Sequence, residues 1–163
     1  MPASGRPPTA AAPARSHRTV APRAVAWVDG GARGNPGEAG CGVVLELGDG
    51  RREEHTVYLG VATNNVAEYA ALLAALERAV ALGVRDLEVH ADSELLVRQM
   101  LGQYRVKARH LQPLWLRAQQ LTRSLGRFVI THVERAGNRA ADRLANLAMD
   151  GRSSSLPRPQ GLP

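Results

Sequence analysis

The hydrophobic period of the chain changes at residue 63, and that change limits the folds open to it. Before it lie three short apolar segments, 24–29, 41–47 and 51–59, which read as strands. Gly48-Asp49-Gly50 between the second and third is a hairpin turn. Residues 30–40 hold five glycines and Pro36, a loop by composition. After residue 63, Val66, Tyr69, Leu72, Leu73, Leu76 and Val80 recur at helical spacing. Thr63 or Asn64 can cap the start of that helix, and Gly83 sits where it ends. Residues 86–91 read as a strand with Leu87, Val89 and Ala91 on one side, and 94–101 as a short helix. A longer helix at 111–125 starts or breaks near Pro113, and 128–133 is a fifth strand. A last helix at 138–149 turns Leu144, Leu147 and Ala148 inward and stops at Gly151. Three strands joined by short loops form an antiparallel meander. Strands separated by helices prefer right-handed parallel crossovers. The expected architecture is therefore α/β: a mixed five-stranded sheet, an antiparallel meander plus two parallel strands, flanked by helices.

Charge says little about what the folded part binds. Of the net +6, three arginines before residue 23 and two after residue 150 supply five, leaving +1 for 23–150. The expected division is a disordered tail at 1–22, one domain at 23–150 and a disordered tail at 151–163. The N-terminal stretch is basic, but its five prolines would break the amphipathic helix of a transit peptide, and it lacks an apolar signal segment. No apolar run approaches the ~18 residues that span a membrane. With aromatics at 4%, the core must be mostly Ala, Leu and Val. Trp27 and Trp115 read as core residues rather than base-stacking platforms, and the single Cys41 as a small packed one. One cysteine cannot form an internal disulfide, which fits a cytoplasmic protein.

Four acids stand out by position. Asp29 and Asp92 close predicted strands, and parallel strand ends gather on the edge where ligands bind. Glu68 and Asp142 fall in the first turns of the first and last helices. Singly, each has a plain explanation, as a helix-dipole partner or a turn residue. Together they can meet at one point, where they repel unless protonated or neutralised by cations. Oxygen-only ligands suit hard ions such as Mg²⁺ or Mn²⁺, and two such ions ~4 Å apart stabilise the attacking and leaving oxygens of phosphodiester hydrolysis. No Cys–His cluster suggests zinc. Asp49, Asp86, Glu88 and Asp150 read as ordinary surface acids.

Four runs carry a resemblance. They are Asp29-Gly30-Gly31-Ala32-Arg33-Gly34-Asn35-Pro36-Gly37, Thr63-Asn64-Asn65-Val66-Ala67-Glu68, Asp92-Ser93, and Asn138-Arg139-Ala140-Ala141-Asp142-Arg143-Leu144-Ala145. In that order, over about residues 24–149, they resemble the signatures of the type 1 ribonucleases H. The resemblance implies hydrolysis of the RNA strand of RNA–DNA hybrids by two-metal-ion catalysis, leaving 5′-phosphate and 3′-hydroxyl ends. It implies that Asp29 bridges both ions, that Glu68 and Asp92 hold one, and that Asp142 helps hold the other. Glu68 would also touch a ribose 2′-OH, the group by which RNA is told from DNA. Gly30, Asn35, Asn64 and Asn65 would grip the hybrid, with Thr63 and Ser93 as phosphate contacts and Asn138 also at the substrate. Asn64 and Asn65 could equally cap the helix. The glycine run matches neither G-x-G-x-x-G nor a P-loop, so no organic cofactor is expected. A monomer is expected.

Two departures from the family pattern are visible. Many members carry a mobile histidine between the last strand and last helix. Here that connection, Glu134-Arg135-Ala136-Gly137, has none. His132 sits on the strand, and Arg135 or Arg139 could contact phosphate instead. The basic protrusion of some members is also missing. Arg105, Lys107, Arg109 and His110 either replace part of it or form a solvated loop.

Overall fold

The computed structural model describes residues 23–163. The tail expected at 1–22 lies outside the described residues. Strands β1 (Arg23–Arg33), β2 (Gly37–Leu47) and β3 (Arg52–Ala62) form the meander. They are followed by α1 (Asn64–Ala81), β4 (Asp86–Ala91), α2 (Glu94–Met100), α3 (Gln112–Arg123) and β5 (Arg127–His132). A 3-10 turn, Arg135–Asn138, leads into α4 (Arg139–Gly151). The sheet order is β3-β2-β1-β4-β5, antiparallel through the meander and parallel from β1 to β4 and β4 to β5. The mixed five-stranded sheet is as expected. No helix among the described residues is long and apolar enough to cross a membrane.

Alternation places Ala24, Ala26 and Val28 of β1 and Leu87, Val89 and Ala91 of β4 on one face, in one buried cluster with Leu72, Leu73 and Leu76 of α1. The opposite face carries α4, which lies over β2 and β3. It can lie there because β2 offers glycine at two outward positions. A β-carbon at Gly42 would stand 2.6 Å from Leu144 Cβ, and one at Gly40 3.0 Å from Ala148 Cβ. Leu144 and Ala148 are buried, whereas Leu147 is 46% exposed, which corrects its expected inward face. Half-buried Trp27 also points to this face, stacked on His90 at 5.4 Å, while Trp115 packs on the main core.

Two further expectations are corrected. Residues 30–40 are not a loop. β1 runs on to Arg33 and β2 begins at Gly37, with only a tight turn between, containing Gly34 at φ +97° and a cis Asn35–Pro36 bond. Gly30, Gly40 and Gly42 stand in these strands where helices press on them, so composition misleads. Residues 151–163 are not a free tail either. The Ser155 N–H donates to the Thr56 carbonyl (2.8 Å), and the Ser155 and Ser154 hydroxyls accept from the Thr56 and Tyr58 N–H groups (3.0 and 2.8 Å). Edge strand β3 thus has backbone donors satisfied by side chains, while Leu156 and Leu162 pack against the core. Removing residues 153–163 should lower stability by about 2 kcal/mol, or roughly 6 °C in melting temperature. It should also promote concentration-dependent association through the bared edge. A melt and light scattering check both, and an unchanged melting temperature would show the strap to be idle.

Candidate active site

Asp29 lies within β1, 7% exposed, on the face that α4 covers. The next residue faces α1. A β-carbon at Gly30 would collide with the Ala67 carbonyl, so glycine lets α1 rest on the strand itself. That contact carries Glu68 into place: its Oε1 accepts from the Gly30 N–H at 2.9 Å. Glu68 is the fifth residue of α1, in the second turn and not the first as expected. Asp92 follows β4 immediately. Carboxylate oxygens of Asp29, Glu68 and Asp92 all lie within 4.8 Å of one another. Asp142, in the first turn of α4 as expected, is near enough to Asp29 to share a hydrogen bond. The four acids line one solvent-open cleft of about 430 Å³ with Gly31, Ala32, Arg33, Asn64, Arg135 and Asn146.

Such crowding raises the cost of charge. Burial pushes Asp29 well above the ordinary carboxylate range, and the negative charges of Glu68, Asp92 and Asp142 push it further. Burial likewise raises Glu68 to about 8, against the opposing pull of the Gly30 N–H and, more weakly, Arg135. Converging, oxygen-only, mutually repelling donors at an open cleft fit hard divalent cations. Asp29, Glu68, Asp92 and Asp142 are the residues that would hold them.

The remaining sequence candidates fall into two groups. Asn35 and Asn64 frame the cleft through linked bonds: Asn35 Oδ1 accepts from the Asn64 N–H (3.0 Å), and Asn64 Oδ1 from the Ala32 N–H (2.9 Å). Both side-chain NH₂ groups stay available to a ligand, and Asn65 is exposed beside them. Thr63 and Ser93 are the N-caps of α1 and α2, accepting from the Val66 and Leu96 N–H groups at 3.2 Å each. Their hydroxyl protons remain free to donate. Gly30 lines the cleft, and Asn138 lies buried behind it. The Gly30 N–H is committed to Glu68. Asn138, 1% exposed, donates from Nδ2 to the Val28 carbonyl (2.8 Å) and to Asp92 Oδ2 (3.3 Å). It orients Asp92 from behind, because the 3-10 turn buries it before α4 begins.

Of the residues weighed against the missing histidine, Arg135 lines the cleft and bears on Glu68. His132 opens onto a different hollow beside Glu94 and Arg98. Arg105, Lys107, Arg109 and His110 are exposed on the segment before α3. Arg33, not singled out in the sequence, also reaches the cleft. Its signal there, a lone cation in a glycine-rich run, was indistinguishable from a solvated turn residue.

The family of reverse transcriptase-like proteins matches residues 27–148. Ribonuclease HI of Halobacterium salinarum is 45% identical over 129 residues, 78% of this chain and 65% of that protein. Its crystal structure superposes with a TM-score of 0.76, covering 79% of this chain and 98% of that one. The chain belongs to the ribonuclease H family. A bifunctional protein of Mycobacterium tuberculosis is 45% identical over 135 residues, 82% of this chain but 37% of its own length. The chain thus spans less than two thirds of these first curated relatives. A ribonuclease H1 isolated from compost, solved in complex with an RNA/DNA hybrid, is 41% identical with a TM-score of 0.74, covering 98% of that structure.

Proposed function

We propose that residues 23–150 form a metal-dependent endonuclease that hydrolyses the RNA strand of RNA–DNA hybrids, leaving 5′-phosphate and 3′-hydroxyl ends. The observation that carries this reading is the meeting of Asp29, Glu68, Asp92 and Asp142 from four separate elements in one open cleft. The hybrid seen bound to the compost relative supports the choice of substrate. The reading takes the enzyme as monomeric and cytoplasmic, using two Mg²⁺ or Mn²⁺ ions held by the four carboxylates. When bound, these ions neutralise charge on the attacking and leaving oxygens of the phosphodiester.

The chain's own residues do the rest. Glu68, its Oε1 tied to Gly30, presents Oε2 to a ribose 2′-OH, a group DNA lacks. The free amide groups of Asn35 and Asn64, with Asn65, grip the strands at the mouth of the cleft. Thr63 and Ser93 donate their hydroxyl protons to phosphate. Asn138 keeps Asp92 aimed by holding both it and the β1 backbone. Arg135 approaches from the β5 side and supplies positive charge where the family often has a histidine. Arg135→Ala should lower kcat roughly tenfold with a smaller change in KM. Steady-state kinetics on a labelled hybrid checks this, and an unchanged kcat removes Arg135 from the mechanism. The reading as a whole is tested by the product ends. Fragments from a cut hybrid should be ligatable without prior phosphorylation, and matched DNA duplex should stay intact. Fragments with 3′-phosphate ends would overturn it.

A further inference from the structure

Arg33 and Asp150 form a contact that neither fold nor catalysis requires. Arg33 ends β1, just before the tight turn, and its side chain is 48% exposed. It reaches across the cleft to α4: Nη1 lies 2.7 Å from Asp150 Oδ1, and Nη2 donates to Asn146 Oδ1 at 3.1 Å. Asn146 is fixed in turn, its Nδ2 donating to the Asp142 carbonyl at 3.0 Å. Asp150 is 60% exposed and sits in the last turn of α4, where the helix dipole disfavours an acid. An exposed pair of this kind is worth only about 0–1 kcal/mol. It is a poor brace, but it is readily exchanged.

The position of Arg33 says what could take the exchange. Among the described residues lining the cleft, Arg33 and Arg135 are the two cations, and they flank the carboxylates. Arg135 comes from the β5 side and Arg33 from the β2 side. Arg33 lies four steps beyond Asp29, a span of roughly 13 Å along β1. A nucleic-acid strand that runs along β1 with its scissile phosphate at Asp29 would bring a phosphate further along its backbone to Arg33. Guanidinium binds phosphate with two parallel N–H···O bonds, and such a bond releases counterions that a carboxylate pair does not.

We propose that Arg33 is a phosphate anchor for the cut strand, held by Asp150 in the free enzyme and transferred to a backbone phosphate when hybrid enters. This rests on the nuclease reading above. Asp150 then acts as a stand-in anion that keeps Arg33 extended across the cleft and sets how much affinity the exchange yields. The two residues should work against each other in binding.

The test is equilibrium binding of a fluorescent RNA–DNA hybrid to the Asp29→Asn protein, by anisotropy across a salt titration, with further substitutions added to that background. Adding Arg33→Ala should weaken binding roughly fivefold and lower the salt slope by about one. Arg33→Lys should recover part of the affinity, since it keeps charge but loses the fork. Adding Asp150→Asn should tighten binding about two- to threefold, and this gain should vanish when Arg33 is also alanine. Thermal melts establish that each variant is folded. Equal affinity with and without Arg33, or a gain from Asp150→Asn that persists without Arg33, overturns the exchange. A parent protein that binds hybrid no better than duplex DNA would instead count against the nuclease reading, so the two failures are distinct.

Discussion

Replacing Asp29 with Asn should reduce hybrid cleavage by at least about a thousandfold while raising the melting temperature of the metal-free protein. Both effects have one origin. Asp29 is buried among three other acids, which is useful only when cations are present. Without them, the folded protein keeps protons that the unfolded chain releases. Glu68, for instance, titrates at about 8 in the fold against an ordinary 4.5, and Asp29 is displaced in the same direction. Stability is therefore full below about pH 4.5 and falls as the pH rises towards 8, because the unfolded state gives up its protons first. Asn has the shape of the protonated acid and no charge to gain. At pH 8 without divalent cations, the variant should be more stable by about 2 kcal/mol, near 6 °C, with a flatter pH dependence. Melts in EDTA across pH 5 to 9 check this. Mg²⁺ should stabilise the parent more than the variant. A variant that melts lower at pH 8 would mean that the carboxylates are satisfied by the protein itself.

Gly42→Ala should be strongly damaging although it touches no acid. The added methyl would stand 2.6 Å from Leu144 Cβ and closer still to the Ala141 carbonyl, and neither can yield without moving α4. Overpacking of this kind costs about 3 kcal/mol, or roughly 9 °C. Because α4 carries Asp142, lifting it also opens the acidic site, so the surviving folded fraction should need more metal for half-maximal cleavage. Gly31→Ala is the contrast. Its β-carbon would meet nothing within 4 Å, and its stability should barely change. Similar melting temperatures for the two variants would show that α4 does not depend on the glycines beneath it.

The sequence could be read where one physical signal dominated. β4 occupies 86–91, as its alternation implies, and the long helix begins at the cap provided by Thr63. Asp142 is in the first turn of its helix because the preceding run is too polar to extend a strand. The glycine-rich stretch was opaque for a definite reason. Glycine marks loops by conformational freedom, but Gly30, Gly40 and Gly42 serve as flat ground for helices, and composition cannot distinguish the two uses. The strap after α4 gave no signal because it is held by serine hydroxyls rather than an apolar pattern. The Arg33–Asn146 contact joins residues 113 positions apart, and nothing local foretells it. The burial of Asn138 was not legible because it depends on a 3-10 turn that has no strong sequence signature.

The central claim is that four carboxylates make a metal-dependent site that cuts RNA paired with DNA. Its most direct test is one incubation series: purified protein with a hybrid labelled on either strand, in Mg²⁺, Mn²⁺ or EDTA, beside the Asp29→Asn protein. The expected result is cutting of the RNA strand alone, present with either metal, abolished by EDTA and by the substitution. Cleavage that persists in EDTA or in the Asp29→Asn protein, or equal cutting of the DNA strand, would contradict it.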